Sequence, residues 1–165
     1  MRTEKIKLII SWLLVAMCMG VIFWMSSHTA IESSKQSDGI LLMLIKLFGD
    51  KADQFYNALK FIGDATFLIR KSAHLLEFTG LCFLFNIAWL QTKKKRMVIV
   101  STICTSAYAI TDELHQLFVE GRSCELRDWA IDTLGAFIGA IGFIAIYSII
   151  KAIIKNKNNI DTGNI

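Results

Sequence analysis

Four apolar runs, about Ile6 to Met25, Ser72 to Gln91, Met97 to Phe118 and Trp129 to Ile150, each approach the ~20 residues a helix needs to cross a bilayer. No other feature constrains the chain as strongly. Inside hydrocarbon every backbone polar group must be satisfied within the segment, which leaves helices as the fold for runs of this length. The hydrophobic fraction is 54% of 165 residues, above the usual soluble balance. The expectation is an all-α integral membrane protein with four transmembrane helices. One membrane domain would cover residues 1–150, followed by a polar cytoplasmic tail, 151–165, that frays from Asn156 onward.

The first run invites comparison with a signal peptide, because Arg2, Lys5 and Lys7 precede it. It is longer than a usual signal core, and no small-x-small cleavage pattern follows. A retained anchor is expected. Met17 stands where a lipobox before Cys18 needs a small residue, and Cys18, Cys82, Cys104 and Cys124 show no CxxC pair or disulfide-framework spacing.

Basic residues orient the bundle, since Lys and Arg resist translocation. Arg2, Lys5 and Lys7, the "KKKR" turn at 93–96, and Lys151, Lys155 and Lys157 all fall on one side of a four-span topology, opposed only by Glu4 and Asp161. Both termini are expected to be cytoplasmic, with residues 26–71 and 119–128 outside. The short KKKR turn lies between two spans and reads as a topology determinant; no nucleic-acid partner is expected.

The outer segment is too polar to span and too patterned for a linker. "ILLMLIKLF" (40–48) is too short to cross, while Phe55, Leu59, Ile62 and Ile69 repeat at helical spacing. One or two interfacial helices on the outer leaflet, or a helix packed on the outer ends of the spans, fit this pattern.

Polar residues then stand out by depth. Arg70, His74 and Glu77 share a helix face near the start of the second span, with Lys71 beside them. "TDELHQLFVEGR" (111–122) puts Asp112, His115 and Gln116 on one face in the last turns of the third. Asp128 and Asp132 lie four apart in the fourth, and their face continues through Gly135 and Gly139, a GxxxG pattern that lets a neighbouring helix approach closely. A charge near the bilayer centre costs about 2.5–3.5 kcal/mol on insertion scales, so such groups are expected to face one another or a wet cavity. His28 reads as a solvated histidine, and Tyr108 as an apolar helix position or a hydroxyl turned into the cluster.

"RKSAHLLEFTGLCFLF" (70–85) with "TDELHQLFVEGRSCELRDWAIDTLGAFIGAIG" (111–142) resembles the VanZ-like family of small bacterial membrane proteins. Its pattern, K-x-x-H-x-x-E, then D-E-x-H-Q, G-R and D with a downstream G-x-x-x-G, falls on Lys71, His74, Glu77, Asp112, Glu113, His115, Gln116, Gly121, Arg122, Asp128, Gly135 and Gly139. The serine-rich stretch after the first span is similar too. Where family members often carry proline before Gly-Arg, this chain has Glu120. The resemblance implies a bacterial cell-membrane protein of a family associated with resistance to the glycopeptide teicoplanin, an antibiotic acting on lipid-linked cell-wall precursors.

Three readings of the polar residues stay open. In an enzyme, His74 or His115 would act as general base or acid, with Glu77, Asp112 and Asp128 orienting the imidazoles. Arg122 or Arg127 would hold a phosphate or carboxylate of a lipid-linked substrate, and Lys71, Gln116 and Asp132 would complete the binding set. A divalent metal on His74, Glu77, Asp112 and His115 is conceivable, although no HExxH signature is present. In a binding protein the same groups would mask a lipid-linked cell-wall precursor or capture a lipoglycopeptide without turnover. In a structural network Arg70, Arg122 and Arg127 would simply neutralise the acids.

Overall fold

The computed structural model describes residues 2–92 and 97–163. The KKKR turn, and with it part of the charge argument for orientation, lies outside the described residues. Six α-helices follow in order: α1 (Arg2–Ser26), α2 (Ala30–Phe48), α3 (Ala52–Ile62), α4 (Ala65–Gln91), α5 (Met97–Gln116) and α6 (Leu126–Gly163). A 3-10 turn, Gly49–Lys51, joins α2 to α3, and no strand occurs among the described residues. Helices α1, α4, α5 and α6 are each long and apolar enough to cross a membrane. The four-span, all-α expectation holds.

The boundaries move in informative ways. Helix α4 starts at Ala65 rather than Ser72, because the Asp64 carboxylate accepts the Phe67 N–H at 2.8 Å and caps it there. Arg70, Lys71 and His74 therefore sit inside an established helix. Helix α5 stops at Gln116, short of Phe118. Helix α6 continues to Gly163, well past Ile150 where the apolar run ends; no glycine or proline interrupts residues 143–162.

Helix α4 is the hub, packing on α6 most extensively and also on α1, α5 and α2. A Cβ added at Gly135 would stand 2.5 Å from the Leu75 carbonyl oxygen, and one at Gly139 2.3 Å from that of Thr79. The GxxxG pattern is thus the backbone contact between α6 and α4. Thr79 Oγ1 bridges the seam, donating toward Leu75 O at 2.7 Å and Gly135 O at 3.0 Å. Beyond it, Val15, Ile22, Phe78, Leu81, Phe85, Ala88 and Ala109 form the buried core. Trp12 meets Phe85 and Trp89 edge-on at 6.1 and 5.1 Å. Ile9, Leu13, Met17, Ile103, Ile138 and Ile141 point outward, as lipid-facing side chains do.

The segment between α1 and α4 packs on the bundle. Thr29 and Glu32 form a reciprocal capping box that starts α2, and Ser33, Ser37 and Leu41 are buried. Of the two arrangements the sequence allowed, α2 adopts the packed one, against α4. Helix α3 touches both α2 and α4, with Phe48 and Phe55 stacked at 4.2 Å. Phe61 is left almost wholly exposed.

Candidate functional site

The end of α1, the start of α4, the end of α5 and the start of α6 meet at one end of the bundle, beneath α2 and the 117–125 connection. Helical spacing brings the polar residues there, and the connection closes over them. Gly121 adopts a φ of 73°, and a Cβ on it would lie 3.0 Å from that of Ala30, so glycine is required for both reasons. The Ala30 N–H donates to Glu120 O at 3.2 Å, which clamps this turn onto the start of α2. Arg122 is thereby carried over the site, its Nε donating to His28 O at 3.3 Å. Burial, with Arg70 close by, holds the Arg122 guanidinium below its ordinary value; an arginine stays charged regardless.

On α4, Lys71 forms an ion pair with Asp128 of α6. One turn on, His74 Nδ1 lies 3.9 Å from both Glu77 Oε2 and Asp132 Oδ1. From α5, Asp112 Oδ2 accepts from Ser26 Oγ at 2.8 Å and from Gln116 Nε2 at 3.1 Å. Candidate metal-binding atoms of His74, Asp112 and Asp132 all lie within 4.8 Å of one another. Three helices thus converge as their spacing predicts.

His115 departs from expectation. Its ring stacks on Phe23 at 4.1 Å, and Nε2 lies 3.1 Å from Ser27 Oγ, at the α1 contact. The quartet His74, Glu77, Asp112 and His115 is therefore not one ligand set; Asp132 stands with His74 and Asp112 instead. Gln116 braces two acids, reaching Glu113 Oε1 at 3.5 Å as well as Asp112. Arg127 is exposed at the rim, paired with Glu125 at 2.9 Å and near Asp128 at 3.9 Å. Arg70, Lys71 and Arg127 all place cationic groups within 5.7 Å of the Phe67 ring. Tyr108 turns away from the cluster and donates to Met19 O at 2.7 Å. His28 is not simply solvated: its Nδ1 lies 3.1 Å from both Trp24 O and Met25 O at the end of α1.

Ser26, Ser27, Glu113 and Phe67 belong to the site although the spacing argument did not select them. Glu113 is buried and its Oε2 accepts the Glu125 N–H at 3.0 Å, tying α5 to the start of α6. The signals were present in the adjacent Asp-Glu pair and in the serines that end the first span. Only their partners were missing.

Two cavities flank the cluster. One, about 50 Å³, is lined by Met25, Ser33, Arg70, His74, Glu77 and Arg122 among others. Through Ile40, Ile69 and Ala73 it adjoins an apolar groove of about 350 Å³ between α2, α3 and α4, floored by Leu44, Phe55 and Leu59. The second, about 70 Å³, is polar and bounded by Phe67, Arg70, Gln116, Arg122 and Asp128. Arg70 and Arg122 border both.

A family model described as VanZ/LLP1 matches residues 11–150, which takes in α4 and α5 whole, most of α1 and α6, and every site residue above. No curated protein and no solved structure matches the chain.

Proposed function

The chain belongs to the VanZ/LLP1 family, and from that premise we propose that it is a bacterial cell-membrane protein, termini cytoplasmic, that binds an anionic amphiphile at an outward-facing site. The apolar part lies in the groove between α2, α3 and α4, and the anionic head sits between Arg70 and Arg122. A lipid-linked cell-envelope component and a lipoglycopeptide antibiotic share this chemistry. The observation that carries the reading is the continuity of the groove with a cavity bordered by two guanidiniums. A volume of about 350 Å³ is within the range of small-ligand pockets. Two like charges beside each other favour an anion between them.

A purely structural network accounts for Lys71 with Asp128 and for Gln116 with its two acids. It leaves Arg70 Nε, His74 Nδ1 and both Asp132 oxygens buried without a hydrogen-bond partner, which favours a site over a brace.

Native mass spectrometry of the full chain, released from nanodiscs of bacterial lipid doped with undecaprenyl-linked precursor, tests this. Wild type is expected to retain an anionic lipid. Leu44→Trp, which fills the groove, and Arg122→Gln, which removes one guanidinium, should each weaken retention about tenfold or more in protein that still unfolds cooperatively. Equal retention by all three proteins overturns the reading. A mass change in the bound lipid would extend it to turnover. For orientation, exposed Cys124 should react with an impermeant thiol reagent on intact cells, and protection there reverses the topology.

A further inference from the structure

We propose that His74, Asp112 and Asp132 form a binding site for one divalent cation of the Mn²⁺ class, with water in the remaining coordination positions. Helices α4, α5 and α6 contribute one ligand each, and the three donor atoms lie within 4.8 Å of one another. Donors on opposite sides of a small divalent ion, at about 2.0–2.2 Å each, are about 4.4 Å apart at most. The separation of His74 Nδ1 from Asp132 Oδ1, 3.9 Å, is already inside that span. Side-chain shifts of under about an ångström close the set on an ion.

Clustered acids alone would not make a site; what points to a ligand is burial without partners. Asp132 is 1% exposed, and neither of its carboxylate oxygens is hydrogen-bonded. Asp112 is 2% exposed; Ser26 and Gln116 both occupy Oδ2, and Oδ1 is left without a partner. His74 Nδ1 is likewise buried and unbonded. Buried polar atoms are satisfied in the great majority of cases, and here several that could ligate a metal converge from three helices.

The chain's own cations do not fill the gap. Lys71 is engaged with Asp128, and Arg122 donates through Nε to a backbone carbonyl. Among the described residues no lysine or arginine forms an ion pair with Asp112 or Asp132. Ser26 and Gln116 hold Asp112 by one oxygen and so aim the other, as outer hydrogen bonds do around metal ligands. Glu77, 3.9 Å from the same ring nitrogen, lines the adjoining cavity of about 50 Å³. That space is large enough for metal-bound water. One imidazole with two carboxylates is an oxygen-rich set that suits Mn²⁺, and none of the four cysteines belongs to it.

This site deepens the amphiphile reading, and rests on it only for what the ion would do: a phosphate held near Arg122 could take an open coordination position. Cation binding itself requires no lipid.

Full-length protein in detergent, stripped with chelator and titrated with Mn²⁺, provides the test, with the free-ion electron paramagnetic resonance signal reporting binding. One ion per chain is expected. Asp132→Asn and His74→Phe should each weaken binding at least tenfold, by analogy with the roughly 10- to 100-fold effects of lesser changes around metal sites. Mn²⁺ should raise the melting temperature of wild type and not of either variant. In chelator Asp132→Asn should melt at or above wild type, since it removes a buried carboxylate that nothing hydrogen-bonds; a misfolded variant would fail this control, and His74→Phe then carries the comparison. Absence of bound Mn²⁺ in wild type, or unchanged affinity in the variants, overturns the site. Native mass spectrometry on the same preparations separates the two proposals. Lipid retained without Mn²⁺ binding removes only the ion site, and Mn²⁺ bound without lipid removes only the amphiphile reading.

Discussion

The α4–α6 seam contains two chemistries along one pair of helices. In its middle, glycines at 135 and 139 let the backbones touch, with the Leu75 and Thr79 carbonyls where side chains would otherwise be. At the end bearing the 117–125 connection, the same helices face each other through Lys71 with Asp128 and His74 with Asp132. The contrast teaches a dependency. Only because the glycine half brings the helices so close can short carboxylates on α6 reach side chains on α4. The glycine half is filled to contact; the polar half keeps space and unbonded polar atoms. Change should therefore be penalised by volume in one half and, at Lys71 and Asp128, by lost charge pairing in the other.

The largest expected effect comes from breaking the glycine half. Gly139→Leu would put a Cβ 2.3 Å from the Thr79 carbonyl oxygen, against backbone that cannot rotate aside. A loss of about 3 kcal/mol or more is expected, at the upper end of overpacking effects. Thermal unfolding in detergent measures it, and a wild-type melting curve would mean the seam is looser than described. Anion retention should fall with it, since separating the helices dismantles the polar half.

A smaller effect is expected from Lys71→Met. Both Lys71 and Asp128 side chains are 13% exposed, so the cost should be about 2 kcal/mol, below the ~3–5 kcal/mol for breaking a fully buried pair. Adding Asp128→Leu should restore most of it, because the stranded carboxylate is then gone. If the double variant is as unstable as the sum of the singles, the pair carries no coupling and the polar half owes its order to packing.

The smallest effect lies off the seam and calibrates it. Thr29 donates from its backbone N–H and hydroxyl to Glu32, holding that carboxyl below its ordinary value. A depressed carboxyl stabilises in full above its unfolded value, about pH 4.3, and the contribution is lost as pH falls through the lower folded value. Hydrogen-exchange protection in the first turn of α2 should drop between pH 5 and 3, with the glycine half of the α4–α6 seam unchanged. Protection in that turn that does not change with pH would remove Glu32 from the cap.

Much of this was legible in the residue order. Span number follows from apolar run length, and the seam from Gly135 and Gly139. Lys71, His74, Asp112, Asp128 and Asp132 follow from helical spacing at one depth. Other assignments required coordinates. His115 shares a face with Asp112 by sequence, yet a helix face is broad enough for Phe23 and Ser27 to claim its ring. Asp132 was selected only as a binding residue, and its meeting with His74 and Asp112 depends on how far α6 slides along α4. Asp64 began α4 before the apolar run did, because a cap acts through one hydrogen bond that hydropathy does not register.

What the sequence by itself determined is the class of molecule and the level of its polar groups along the helices, since both are one-dimensional quantities: the length of an apolar run, and the spacing of charges along a helix. Which side chains meet was decided only by the tertiary structure. Pairing across helices depends on their separation and axial register, set here by two glycines against two backbone carbonyls and by a turn at Gly121 pressed against Ala30.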